Sequence, residues 1–357
     1  MSKVDEVIND AINEPKKKKE KKEIRLLTGN TIRDIILGGG NRVLGVKIGI
    51  VWNMIGEPSA GKTFEADELI AINKRIYKDK LKFNFDNAEG GNEVDCKKLY
   101  GIDIITENSL RSSTVEELNI NIKKFLKTLK EDEIGIYVVD SLDALTSKEV
   151  EDRIKEREKA EAKGKSYDSG SYMMGKQKYL KQEFFPEIKI LIEKSNCLLI
   201  IISQQTEKIG ITFGSKKERA GGKALRFFSH IESWAKEIEK IRITKKGETR
   251  TIGVRNKTEF TRTRNERPFR NHYNTIYFDY GISDIDSNLD FLFNLLTDGG
   301  KDKTNFNVEF DNNVFKSKKE LITYIEDKNL EDTLREMVIE KWEAIEESVK
   351  IYRKRKY

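Results

Sequence analysis

The sequence predicts an α/β fold: a mainly parallel central sheet flanked by helices, followed by a small helical C-terminal domain. Three observations predict it. Continuous apolar runs of strand length, over residues 48–55, 134–139 and 197–203, read as strands buried on both faces. Stretches with helical spacing separate them, as parallel strands joined by crossover helices require. After Gly299-Gly300 the strand character gives way to a helical stripe.

In chain order, residues 1–24 combine a weakly amphipathic stretch (Val4, Val7, Ile8, Ala11, Ile12) with a lysine run from Lys16 to Lys22. The run can bury nothing and reads as a flexible basic tether. A core over 25–298 and a C-terminal domain over 299–357 are expected to follow. Residues 26–40 alternate turn chemistry with a short apolar helix around Ile35-Ile36-Leu37. The strand over 48–55 then enters Gly56-Glu57-Pro58-Ser59-Ala60-Gly61-Lys62-Thr63, and a helix over 63–78 leaves it with Ala66, Leu69, Ile70, Ile76 and Tyr77 at helical spacing. G-x-x-x-x-G-K-T between strand and helix is the phosphate-binding loop. Its glycines let backbone N–H groups converge on a polyphosphate at a helix N-terminus. Lys62 is expected to reach the β- and γ-phosphates and the Thr63 hydroxyl to bind Mg²⁺.

Across residues 81–89, Leu81, Phe83 and Phe85 alternate with polar residues, a strand signature ending in Glu89. An acid at a strand's end beside a nucleotide crevice can align an attacking water. The run over 134–140 ends in Asp140-Ser141, the pattern by which a buried strand brings one carboxylate to the Mg²⁺ shell. Residues 148–165 are charge-dense and read as an exposed helix or mobile loop, and 166–175 as a flexible loop. A helix with Tyr179, Phe184, Phe185, Ile188, Ile190, Leu191 and Ile192 on its apolar face comes next. The strand over 197–203 ends at Gln204 and opens into Lys208 to Gly222, a poor core element. Its cations can neutralise phosphates and its Ile and Phe side chains can touch bases, so it reads as a mobile strand-binding loop. Further strands are expected over 231–243, 249–257 and 274–282. Ser317-Lys318-Lys319-Glu320 is a capping box, and Leu330, Leu334, Met337, Val338, Trp342, Ile345, Val349 and Tyr352 form one helical stripe before a basic tail.

Charge placement says more than the net +6: residues 204–270 carry 18 Lys/Arg against 8 Asp/Glu, and the rest of the chain sums to −4. A basic excess interleaved with Gly and Phe suggests a polyanion track. Only Cys96 and Cys197 are present, which excludes a disulfide framework and suits a reducing cytoplasm. The histidines, His230 and His272, stand apart and read as packing or surface residues. No apolar run approaches the ~20 residues of a membrane span, and no secretory h-region follows Met1.

Taken together in order, the residues resemble the RecA/UvsX-type recombinases over about 26–295. The resemblance rests on Leu27-Thr28-Gly29, the phosphate loop, Ala88-Glu89, Val138-Val139-Asp140-Ser141, Met174-Gly175, Gln204, Lys208-Ile209-Gly210, Phe213-Gly214, Gly221-Gly222, Phe227, Asn256-Lys257 and Pro268-Phe269. It implies a DNA-dependent ATPase that uses ATP with Mg²⁺ and forms helical filaments on single-stranded DNA. Such a protein pairs that strand with homologous duplex, with single-strand-binding and loader proteins as candidate partners. It further implies Glu89 as the water-activating carboxylate, Gln204 as the γ-phosphate sensor, and Met174-Gly175 in a first DNA loop. The second DNA loop would hold Lys208, Ile209, Gly210, Phe213, Lys216, Lys217, Arg219, Gly221 and Gly222, with Ile209 inserting between bases. Arg255 and Lys257 would reach a neighbour's ATP, and Phe227 would sit at the subunit interface.

The departures are specific. Glu57-Pro58 reverses the bacterial order, Cys96 stands where an adenine-stacking tyrosine is expected, and Arg255 replaces a lysine. Residues 148–172 are longer than in bacterial members and the N-terminal module is shorter, features that lean toward a phage-type member working in a host cytoplasm. The rival readings are a ring helicase or clock-type switch ATPase of the same fold, and an ATP-binding mediator without strand exchange.

Overall fold

The computed structural model describes residues 23–40, 42–92, 94–163, 174–207, 217–219, 222–264 and 267–353. The N-terminal amphipathic stretch and lysine run, most of the expected loop at 166–175, and Lys208, Ile209, Gly210, Phe213, Lys216 and Gly221 lie outside the described residues.

Strand β1 (Arg25–Leu26) pairs with β2 (Val46–Lys47) around helix α1 (Thr31–Gly38), whose N-terminus is capped by Asn30. Strand β3 (Ile50–Gly56) enters the phosphate loop and α2 (Lys62–Tyr77), followed by β4 (Leu81–Asp86), α3 (Cys96–Tyr100), α4 (Val115–Thr128) and β5 (Ile134–Val139). Helix α5 (Lys148–Glu161) buries none of its residues, as its charge density predicts. Helix α6 (Met174–Tyr179) runs through a π turn, Leu180–Phe184, into α7 (Phe185–Glu193) and on to β6 (Cys197–Glu207). Then come β7 (Lys217–Arg219), α8 (Gly222–Phe228), β8 (Ile231–Lys245), β9 (Glu248–Thr263), β10 (Arg270–Tyr277), β11 (Gly281–Ser283) and α9 (Asp284–Leu292). The C-terminal part holds a hairpin, β12 (Val308–Phe310) with β13 (Asn313–Phe315), and helices α10 (Lys318–Lys328) and α11 (Glu331–Ser348).

The central nine-stranded sheet runs β11-β10-β9-β8-β3-β6-β5-β4, with β7 paired to the far end of β6. Strands β8, β3, β6, β5 and β4 are parallel; β9, β10 and β11 continue the sheet antiparallel. Alternation within the apolar strands serves two cores at once. Trp52, Met54, Ile136, Val138, Leu198 and Ile200 face the core beneath α1 and α2, while Val51, Tyr137, Val139, Leu199 and Ile201 face that beneath α4 and α7.

Several expectations are corrected. Residues 274–282 are two strands, because Gly281, at φ 97°, reverses the chain after an exposed turn at 278–280. The strand expected to stop at residue 257 continues to Thr263 beside β8. Met174 and Gly175 open α6 instead of lying in a loop. Ile190 is exposed and off the apolar face of α7. The C-terminal stripe stops early: α11 ends at Ser348, and Ile345, Val349 and Tyr352 are exposed. The β12–β13 hairpin was not anticipated; Asp311 and Asn312, both at positive φ, make its two-residue turn.

Both cysteines are buried. Cys96 opens α3 and packs into the core, where burial and nearby Asp67 push its thiol up to about 12. Burial also pushes the Cys197 thiol up.

Candidate functional site

The end of β3 and the start of α2 hold the phosphate loop between them. Gly61 sits at φ 86°, and a Cβ there would lie 2.3 Å from Ile276 Cδ1, so only glycine fits. Lys62 is 8% exposed, and its Nζ donates to the carbonyls of Gly56 at 3.0 Å and Glu57 at 2.7 Å. Burial lowers its pKa, against the pull of Asp140, Glu65 and Glu89. Thr63 Oγ1 donates to Asp140 Oδ2 at 2.8 Å. Asp140 follows the last residue of β5; burial raises its carboxyl and the Thr63 hydrogen bond opposes that. Two hard oxygen donors converging here fit Mg²⁺, which keeps water and phosphate oxygens in its other positions. Among the described residues no group of three or more His, Cys, Asp or Glu is placed to hold a metal.

Glu89 lies three residues past β4. Its backbone N–H donates to Asp140 O at 3.0 Å, and its Oε1 accepts from Gln204 Nε2 at 3.0 Å. Gln204 stands opposite Gly56 in the β3–β6 register, and its backbone N–H donates to Asp143 Oδ2 at 2.7 Å. The ends of β3, β4, β5 and β6 therefore bring Lys62, Thr63, Glu89, Asp140 and Gln204 to one edge of the parallel strands, where α/β sheets hold their ligands.

Asp143 and Lys176 belong to this edge and were missed from sequence. Burial raises the Asp143 carboxyl, and nearby Lys176 counteracts it. Lys176 Nζ donates to Leu142 O at 3.0 Å and also to Leu145 O, fastening α6 to the turn after Asp140. The D-S-L-D spacing was a usable signal for Asp143; Lys176 had none.

A second buried group lies behind the loop. Arg33 Nη2 and Glu65 Oε1 pair at 2.6 Å with almost no exposure. Glu65 Oε1 also accepts from Asn274 Nδ2 at 2.9 Å and Asn256 Nδ2 at 3.3 Å. Asn256 Nδ2 donates to Ala60 O at 2.6 Å, joining β9 to the phosphate loop. Arg33 Nε donates to His272 Nε2 at 3.3 Å, and burial next to that cation holds His272 well below the ordinary histidine pKa.

The two β9 cations differ. Lys257 is half-buried, its Nζ 5.6 Å from the centre of the Tyr273 ring. Arg255 is buried and turned to carboxylates of its own chain. Phe227, on α8, is 67% exposed. Strand β7 pairs with β6 through Glu207↔Lys217, Thr206↔Glu218 and Gln205↔Arg219, so the strand carrying Gln204 continues directly into the ends of the 208–222 segment, and Gly222 opens α8.

A family model described as the RecA N-terminal domain matches residues 6–283. The chain belongs to the RecA family. It is 32% identical over 256 residues to Protein RecA of Clostridium tetani, an alignment covering 72% of this chain and 65% of the relative. It is 27% identical over 317 residues to that of Rippkaea orientalis (88% and 82%), and 29% over 310 residues to that of Geobacter metallireducens (84% and 83%). RecA-family proteins are DNA-dependent ATPases of homologous recombination that use ATP with Mg²⁺, bind single-stranded DNA and self-assemble, and this chain is a recombination protein of that kind. No helix among the described residues is long and apolar enough to cross a membrane.

Proposed function

We propose that this chain polymerises on single-stranded DNA, turns over ATP at the junctions between protomers, and pairs the bound strand with homologous duplex. The observation that carries this most is the Glu89–Gln204 hydrogen bond. It ties a carboxylate suited to orient a water to the strand that leads into the 208–222 segment.

In this reading, Lys62 exchanges the carbonyls of Gly56 and Glu57 for the β- and γ-phosphate oxygens, and residues 56–63 cradle the phosphates with backbone N–H groups. Thr63 and Asp140 hold Mg²⁺, which when bound neutralises charge developing on the phosphates. Glu89 orients the attacking water, and Gln204 turns from Glu89 to the γ-phosphate. Catalysis is positioning and charge stabilisation, with no covalent intermediate. Lys257 comes from the neighbouring protomer, and exposed Phe227 sits in the junction. Met174-Gly175 and the 208–222 segment contact the DNA. Residues 25–298 act as the core and 299–357 as its satellite. Single-strand-binding and loader proteins are the expected accessory partners, in the cytoplasm of the cell where the protein works.

The test is ATP hydrolysis with and without single-stranded DNA, for the parent and Glu89→Gln. DNA should stimulate the parent. Glu89→Gln should still assemble on DNA with ATP yet turn over about 100-fold more slowly. Full-speed hydrolysis by monomers indifferent to DNA contradicts the proposal.

A further inference from the structure

Successive side chains of a strand point to opposite faces. On β9, Asn256 faces α2 and the phosphate loop, while Arg255 and Lys257 share the other face. That pair is not symmetrical. Arg255 is 3% exposed, and its guanidinium is filled on both arms. Nη1 donates to Glu239 of β8 and lies 3.4 Å from Gly300 O; Nη2 donates to Asp302 Oδ1 at 2.9 Å and stands 3.9 Å from Asp290 Oδ2. Asp290 is itself gripped from the far side by Lys318 Nζ at 2.8 Å, which also reaches Asp286 at 2.7 Å. The chain of charges thus runs from the middle of β9 through α9 to the first turn of α10. Lys257, two residues on, lies over the Tyr273 ring, a contact weak enough to be exchanged for a phosphate.

We infer that Arg255 and Lys257 divide the work: Arg255 is a positioning residue clamping β9 to residues 300–302 and α9 of its own protomer, and Lys257 alone reaches the neighbour's nucleotide. This rests on the reading that β9 serves the adjacent protomer's ATP. The chemistry favours the division. A planar fork holds two arms in fixed, opposed directions and so can join carboxylates on separate elements, whereas a compact ammonium bonds only groups gathered around one point. Withdrawing the fork would leave Asp290 and Glu239 without it in a largely dry site, whereas Lys257, on a four-carbon stem, can extend without breaking an ion pair among the described residues.

The experiment compares full-length Lys257→Gln, Arg255→Met, and Arg255→Met combined with Glu239→Gln and Asp302→Asn, which removes two of the three carboxylates along with their cation and leaves Asp290 to Lys318. Each is measured for thermal midpoint and for DNA-stimulated ATP turnover. Lys257→Gln should keep its midpoint and lose about 30-fold or more in turnover. Arg255→Met should melt earlier, and the triple variant should recover both the midpoint and turnover to within about threefold of the parent. A triple variant that melts like the parent but turns over as poorly as Lys257→Gln overturns the division of labour. If the triple variant folds poorly, Arg255→Gln decides: at a temperature where it is folded, a clamp predicts an earlier melt with near-parental turnover, and a direct phosphate contact predicts a loss of turnover as large as that of Lys257→Gln. Parental turnover by Lys257→Gln overturns the inference, and if the triple variant is parental too, the reading of β9 as serving the neighbour's ATP fails with it.

Discussion

Strands β3, β5 and β6 are apolar through most of their buried lengths, Asn53 and Ser203 apart, and bring their site chemistry in toward their carboxyl ends. Strand β9 carries Arg255, Asn256 and Thr258 buried in mid-strand, each held by partners from other elements. The parallel half of the sheet therefore positions groups by where each strand stops. The antiparallel half positions them by a dry polar lattice that must be satisfied atom by atom. The first arrangement tolerates a changed end group without cost to the fold. The second makes chemistry and stability inseparable.

The largest effect that would sharpen this contrast is Lys62→Ala. It should reduce ATP turnover by about a thousandfold or more while leaving the thermal midpoint nearly unchanged, since the ammonium bonds only to loop carbonyls. Substantial turnover in a steady-state assay would break it. Next comes Glu65→Ala in the lattice, which strands the Arg33 guanidinium in the core and should cost about 3–5 kcal/mol by denaturant titration. Arg33→Met with Glu65→Leu should recover most of that loss, because it removes both charges. The smallest effect is on pH dependence. His272 is held neutral in the fold, so the unfolded chain takes up the proton first as pH drops below about 6.5, and stability is lost in that direction. The parent should therefore lose up to about 1.4 kcal/mol more per pH unit below 6.5 than His272→Gln, which keeps an acceptor for Arg33. Parallel pH–stability curves would remove His272 from the lattice.

The same contrast explains what could be read from the chain. Gly56 to Thr63, Asp140, Gln204 and the Ser317 cap are local signals, with strand or helix context adjacent in sequence, and the fold positions them accordingly. Glu65 and Asp67 look like the solvated side of an amphipathic helix, yet both are buried, because their partners arrive from α1, β9, β10 and the loop at Asn92. Arg255 read, by resemblance, as a cation directed at a neighbour's ATP; its partners within the chain had no local signal, since they lie 16, 35 and 47 residues away in sequence. The β12–β13 hairpin is too short for alternation to stand out, although its Asp311-Asn312 turn was available.

The two sealed thiols have a practical corollary. With Cys96 and Cys197 shut inside the protein and held in the unreactive S–H form, maleimide dyes should pass over the native chain. A single cysteine introduced at exposed Phe227 or on α5 would then report one distance or one binding event, without any prior removal of natural cysteines.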